Sequence, residues 1–277
     1  MEFKKLTAYL NHLPGEGVPG LEMAIWINHT PVYRHCAGEA PGGESYWLYS
    51  ATKVLTMTVL MRLIEQGTLR LSDRVADYLP EYAHLTVQQG DTLRPARTAM
   101  TLEHLMAMQG GLDYDQDTPA IRQVLAETDG QADTVRIARC FAQKPLHFDP
   151  GCGFRYSLCH DAAAACAVVA TGKPLAQLAR ELVLDPLGIQ SLTFHPDDAQ
   201  LRRLAPQYTV DAAGQTIPAS NCRGGLADLP NYDSGGGGLM GDVDGYMPLA
   251  DALANDGVGY NGSRGITVHS IANAPND

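Results

Sequence analysis

The amino-acid sequence predicts an α+β fold in two lobes, an antiparallel sheet lobe and a helical lobe, and three observations predict it. Residues 21–37, LEMAIWINHTPVYRHCA, hold two runs rich in β-branched and aromatic residues on either side of the turn-prone Asn28 to Pro31, the pattern of a β-hairpin. The stretch from Ser50 to Gln66 is apolar nearly all round, with only Lys53, Arg62 and Glu65 charged, as in a buried helix rather than a surface one. The segments after it are short and helical, each with its own start and stop residues, and they do not alternate with strands as a parallel sheet requires.

Each element has its local signal. The opening MEFKKLTAYLNHLPGEG reads as a short amphipathic helix; it lacks the apolar run and small-residue cleavage site of a secretory signal, so the expected location is the cytoplasm. That helix and the hairpin belong to the sheet lobe. The Ser50 helix stops at Gly67. Further helices are expected from Ser72 to Leu79, closed by Pro80, from Thr101 to Gln109, closed by Gly110, and from Thr118 with Pro119 in its first turn. Ser157 to Thr171, closed by Gly172, and Pro174 to Leu184 repeat the scheme, and another helix ends near Gly257. Between about Ala205 and Gly238 the chain is polar, rich in Gly and Pro and without a sustained period, which predicts a long surface excursion. Gly235 to Gly238 lacks the Lys and Ser/Thr of a phosphate loop and reads as a flexible turn.

At 277 residues, with 45% hydrophobic and 18% charged residues, the chain can bury a sizeable core, and it is read as a single domain, 1–277. A mean hydropathy of -0.15 and the lack of an apolar run of membrane length predict no membrane span. The net charge of -11 disfavours nucleic acid as a partner, because affinity for it comes mainly from neutralising phosphates. Six cysteines form no CxxC pair and no zinc-ligand spacing, so reduced thiols are expected and neither a metal nor an organic cofactor is. The oligomeric state is not legible.

The chemistry sits in Ser50-Ala51-Thr52-Lys53. On a helix, positions i and i+3 share a face, so Lys53 can reach the Ser50 hydroxyl. A serine hydroxyl becomes a nucleophile when a neighbouring base takes its proton, and a lysine does so when burial disfavours its charged form. The helix start also offers unpaired backbone N–H groups to an oxyanion. Spacing alone is equally consistent with a helix cap and a solvated lysine, but an unpaired charge inside an apolar helix is costly without a role. Tyr156, in FDPGCGFRYSLCHD, follows a Pro-Gly turn immediately before a helix; beside an ammonium its phenolate is favoured, which fits a general base and then acid, and its bland alternative is a core tyrosine. Asp161 reads as a first-turn helix charge, and His160 is a lesser candidate for the cleft wall.

These residues lie in a sequence that resembles the serine β-lactamases of class C with their relatives, the D-Ala-D-Ala carboxypeptidases and esterases of the same fold. The resemblance runs through GLEMAIWINHTPVYRHCAGEA, YSATKVLTMTVLMRLIEQGTLRLSDRVADYLPEY, MTLEHLMAMQGGLDY and PLHFDPGCGFRYSLCHD to DPLGIQSLTFHP and GGGGLMGDVDGYMPLADALANDG. It implies a β-lactamase/transpeptidase-like fold and an acyl-enzyme hydrolase of small ester or amide substrates, with Ser50 as nucleophile, Lys53 as base and Tyr156 as the tyrosine of the second motif. Three departures stand out. Leu158 occupies the place of an Asn whose amide binds substrate and holds the lysine, which points to an ester rather than a β-lactam or peptide. Gln109-Gly110-Gly111-Leu112 replaces a H-T-S-G-L pattern and looks structural. The third motif, K-T-G, H-T-G or H-S-G, is not found; His269-Ser270-Ile271 resembles it only faintly. The expectation is therefore a chain lacking the last sheet strands, weak as a hydrolase and prone to aggregate. The alternative is a non-catalytic relative that binds a ligand or partner through the remnant cleft.

Overall fold

A computed structural model of the chain describes residues 2–264; His269-Ser270-Ile271 lies outside the described residues. In chain order the elements are α1 (Lys4–His12), β1 (Gly20–Ile27), β2 (Thr30–Gly38), β3 (Tyr46–Trp47), α2 (Thr52–Glu65), β4 (Thr86–Gln89), β5 (Thr92–Pro95), α3 (Leu102–Met106), α4 (Pro119–Glu127) and α5 (Thr134–Phe141). They continue with α6 (Cys159–Thr171), α7 (Leu175–Ala179), α8 (Asp198–Arg202), β6 (Tyr208–Val210), β7 (Thr216–Pro218), β8 (Met240–Gly241) and α9 (Val243–Ala254).

Two compact units divide these elements. Among the described residues the first gathers 2–48, 184–222 and 239–264. Within it β1 and β2 form the expected hairpin, with Ile27 opposite Thr30, so that Asn28 and His29 alone make the turn. Both have positive φ, 46° and 66°, as a tight two-residue hairpin turn demands. Asn tolerates that backbone; His29 is held to it by the buried carboxylate of Asp251, which accepts from its backbone N–H at 3.2 Å and pairs with its Nδ1 at 2.7 Å. Helix α1 packs on β2 and α9 on β1, while β3 pairs antiparallel with β8. The broad antiparallel sheet expected from the sequence is represented among the described residues by two-stranded pairings.

The second unit comprises Tyr49–Val183 and Arg223–Gly238. Its centre is α6, with α2, α3 and α5 around it. The alanines of α6 permit close approach, and every residue from Cys159 to Ala167 is buried. Leu55, Val59 and Leu60 of α2 are fully buried, each worth about 1.5–3 kcal/mol. Caps set the starts: Thr101 and the His104 side chain form a capping box for α3, Thr118 caps α4 and Asp133 caps α5. Gly172, at φ 69°, ends α6 as predicted.

Three sequence expectations are corrected. Residues 72–79 form no α-helix but a 3-10 turn at Val75–Asp77, and Pro80 opens the next turn, Pro80–His84, instead of closing one. The Val75 N–H is spent on the Met100 carbonyl, and Asp73 O accepts from Leu102 N–H, so these backbone groups are committed to a neighbouring segment. The predicted helix from Pro174 to Leu184 is regular only through Ala179 and then widens into a π turn, Arg180–Leu184. The excursion after Ala205 does carry an exposed hairpin, β6 with β7, but its end is interior: Tyr232, Asp233 and Ser234 are all buried. Asp233 is fastened by its backbone N–H to Thr134 Oγ1 at 2.9 Å and by its carboxylate to the Ala176 N–H at 2.8 Å.

Candidate active site

Ser50 lies in a 3-10 turn, Tyr49–Ala51, that leads directly into α2. Tyr49 adopts φ 42°, a conformation uncommon for a non-glycine residue, and so turns the chain sharply ahead of Ser50. One turn on, Lys53 is 8% exposed and donates to Ser50 Oγ at 3.3 Å and to the Gly236 carbonyl at 2.7 Å. The Tyr156 hydroxyl donates to Ser50 Oγ at 2.6 Å, and Lys53 Nζ stands 4.7 Å from the Tyr156 ring centre. The three residues singled out in the sequence therefore meet at one point in the second unit.

The sequence reading missed two contributors. Tyr114, five residues after the Gln109 to Gly110 bend, stacks on Tyr156 with ring centres 5.6 Å apart. Nothing in the sequence distinguishes it from any loop aromatic. The two phenols are driven apart in acidity. Partial burial opposes ionisation of Tyr156, but the Lys53 ammonium and the Ser50 hydroxyl favour its phenolate and bring its pKa below the ordinary value. For Tyr114, burial and then the charges of Asp161 and Tyr156 push the phenol up. Of two adjacent phenols, Tyr156 is thus the one disposed to hold a negative charge.

The second omission is the glycine run with its anchor. Gly235 to Gly238 is packed backbone, not a flexible turn: a Cβ at Gly235 would lie 2.8 Å from the His160 carbonyl oxygen and 2.9 Å from Ala164 Cβ. Asp161, read as a first-turn helix charge, is 1% exposed, and its Oδ1 accepts from Tyr232 Oη at 2.7 Å, Ser234 Oγ at 2.8 Å and the Gly236 N–H at 3.2 Å. His160, the lesser candidate, turns away: its Nε2 meets the Met106 carbonyl at 3.1 Å, and burial pulls its pKa down. The Gln109 to Leu112 segment is structural, since a Cβ at Gly111 would strike the Phe148 carbonyl oxygen at 2.6 Å.

A cavity of about 220 Å³ opens beside Ser50, walled by Tyr49, Tyr114, Leu158, Arg223 and Leu226 with Asp161 at its margin. Leu158 is 4% exposed and lends this wall an aliphatic surface where an amide was expected from the resemblance. Arg223 is anchored by donation from Nη1 to the Gly238 carbonyl at 2.6 Å. Among the described residues no cluster of three His, Cys, Asp or Glu side chains is disposed to hold a metal ion, and no single helix is long and apolar enough to cross a membrane.

The sequence pattern of the family described as Beta-lactamase matches residues 6–265. The chain belongs to the beta-lactamase family. Among family relatives, esterase EstB of Burkholderia gladioli is 30% identical over 235 residues, which are 76% of this chain and 57% of that protein. The D-alanyl-D-alanine-carboxypeptidase/endopeptidase AmpH of Escherichia coli is 27% identical over 205 residues, 71% of this chain and 51% of that one. The chain thus spans about half the length of these curated relatives. The solved structure of EstCE1, a hydrolase with promiscuous acyltransferase activity, superposes with a TM-score of 0.72 at 26% identity, over 90% of this chain and 72% of that one. The fold is accordingly β-lactamase/transpeptidase-like, as the sequence implied.

Proposed function

We propose that this chain is a serine hydrolase that cleaves a small ester or amide through an acyl-enzyme on Ser50. The observation that carries the reading is the pair of contacts converging on Ser50 Oγ, from Tyr156 Oη at 2.6 Å and from Lys53 Nζ at 3.3 Å. In the proposed reaction Ser50 Oγ attacks the carbonyl carbon while its proton passes to the Tyr156 phenolate, which the adjacent Lys53 ammonium stabilises. The tetrahedral intermediate collapses and Tyr156 gives the proton to the departing alkoxide or amine; water, deprotonated by the same tyrosine, then attacks the acyl carbon, the bond to Ser50 Oγ breaks, and Tyr156 returns that proton to Oγ as the acid leaves. Intact contacts among all three groups favour this over a non-catalytic ligand-binding role.

The cavity favours an ester with a small acyl group: its volume is about 220 Å³ and Leu158 gives it an aliphatic wall. Esterase and carboxypeptidase relatives bracket the same chemistry. The test is labelling by a fluorophosphonate, which reports an activated serine even when turnover is slow. Modification mapped by mass spectrometry to Ser50, and absent from Ser50→Ala, is the expected result; no labelling, or labelling elsewhere, refutes the assignment. A short-chain nitrophenyl ester should be turned over faster than a chromogenic cephalosporin, and the reverse order would remove Leu158 as a guide to substrate.

A further inference from the structure

Lys53 needs something to hold it, since the residue at 158 is an aliphatic side chain. Its ammonium donates to the Gly236 carbonyl, and the N–H of that same residue donates to Asp161 Oδ1. Gly236 is therefore gripped on both faces of the chain, one by the lysine and one by the carboxylate. The other carboxylate oxygen is also close by. A Cβ placed on Gly236 would collide with Asp161 Oδ2 and come within 3.4 Å of Lys53 Nζ, so the missing side chain of Gly236 is the space across which carboxylate and ammonium face each other. Asp161 is itself fixed by the hydroxyls of Tyr232 and Ser234 and by its place in the first turn of α6, where the helix N-terminus favours an anion.

We propose that Asp161 is the positioning residue and counter-charge of Lys53, acting across Gly236. An aspartate buried to 1% exposure is costly unless paired; its three hydrogen bonds all fall on Oδ1, and Oδ2 borders the space at Gly236 that Lys53 Nζ also borders. The carboxylate lies opposite the Lys53 amine across Gly236, and the Gly236 carbonyl fixes where that amine sits. The catalytic meaning of this arrangement rests on the hydrolase reading, but the arrangement itself is tested without turnover.

The experiment measures acetylation of Lys53 by trace acetic anhydride at neutral pH, quantified by mass spectrometry in the full chain. In Asp161→Asn, which keeps an acceptor oxygen and loses the charge, Lys53 should react about tenfold faster than in wild type, because the charge opposite its amine is gone. In Tyr232→Phe combined with Ser234→Ala, which loosens the carboxylate and keeps its charge, melting should fall while Lys53 reactivity stays within about twofold. Equal acceleration in both variants means that the loop has merely opened, and unchanged reactivity in Asp161→Asn means that no counter-charge acts; either overturns the proposal. Should Asp161→Asn not fold, Asp161→Ser, neutral and smaller, carries the same comparison. Where fluorophosphonate labels wild-type Ser50, the acylation rate of Asp161→Asn should fall at least about tenfold with a displaced pH profile. Failure of labelling in wild type bears on the hydrolase reading alone, since the acetylation result stands apart from it.

Discussion

At the residue scale, function depends on which hydroxyl loses its proton to which base, and the three converging side chains make separable contributions. Ser50→Ala deletes one exposed hydroxyl and should leave the melting temperature nearly unchanged while lowering ester hydrolysis at least about a thousandfold. Tyr156→Phe, which removes the proposed base, and Lys53→Ala, which removes the charge beside its phenolate, should each slow acylation about a hundredfold or more. Wild-type acylation in either variant reassigns that residue to structure. The pH dependence follows from the sign of the Tyr156 shift: in the proposed reaction the phenolate is the active form, so activity should be present above the phenol's pKa and lost as pH falls through it. Because the Lys53 ammonium and Ser50 outweigh partial burial and bring that pKa below its ordinary value, the acid limb should lie below about pH 10 and move up in Lys53→Ala. A limb unmoved by Lys53→Ala speaks against the lysine as the neighbour that tunes Tyr156.

At the scale of elements, the glycine run and the loop carrying Tyr156 decide whether the site holds together. Gly236→Ala puts a methyl group between Asp161 and Lys53 and should cost about 1–3 kcal/mol of stability, read by thermal melting, together with most of the acylation rate. A wild-type melt for this variant would mean the space is not needed. The loop ahead of Tyr156 is tied at Asp149, which accepts from Arg94 Nη1 at 2.8 Å, Arg94 Nη2 at 2.6 Å and the Arg97 N–H at 2.8 Å. Those bonds, the Arg94 pair first, lower its pKa to about 2. A carboxyl depressed in the folded state contributes stability that is complete above the unfolded value, about 4, and is lost as pH falls toward 2. Arg94→Ala should therefore lower the melting temperature at pH 7 and flatten its decline between pH 4 and 2. An unaltered decline would show that this tie does not govern acid stability.

At the scale of the whole molecule, β1 has a single strand partner, β2, among the described residues, and the seven residues from Gly20 to Trp26 are only half-buried. A strand of eight residues reading GLEMAIWI whose other edge pairs with no strand among the described residues is a template for association. Sedimentation velocity should show concentration-dependent association of the 277-residue chain, and one unchanging monomeric species across the micromolar range would refute it. The net charge of -11 works against close approach, so association should strengthen as salt screens it.

Sequence alone determined the features that depend on near neighbours in the chain. The hairpin turning within Asn28 to Pro31, the buried helix bearing Lys53, the Gly172 stop and the meeting of Ser50 with Lys53 follow from spacing and from local propensity. The placement of Tyr156 beside Ser50 was legible only through company and resemblance, because their contact spans 106 positions. Tertiary structure decided the rest. It turned residues 72–79 from helix to 3-10 turns by claiming their backbone groups for the segment around Met100, and it buried a glycine run that composition marks as flexible. It also made a first-turn aspartate an interior charge. A carboxylate's surroundings are set by what distant segments bring to it, here Tyr232, Ser234 and Gly236, more than seventy positions away, and no local pattern in α6 records their arrival.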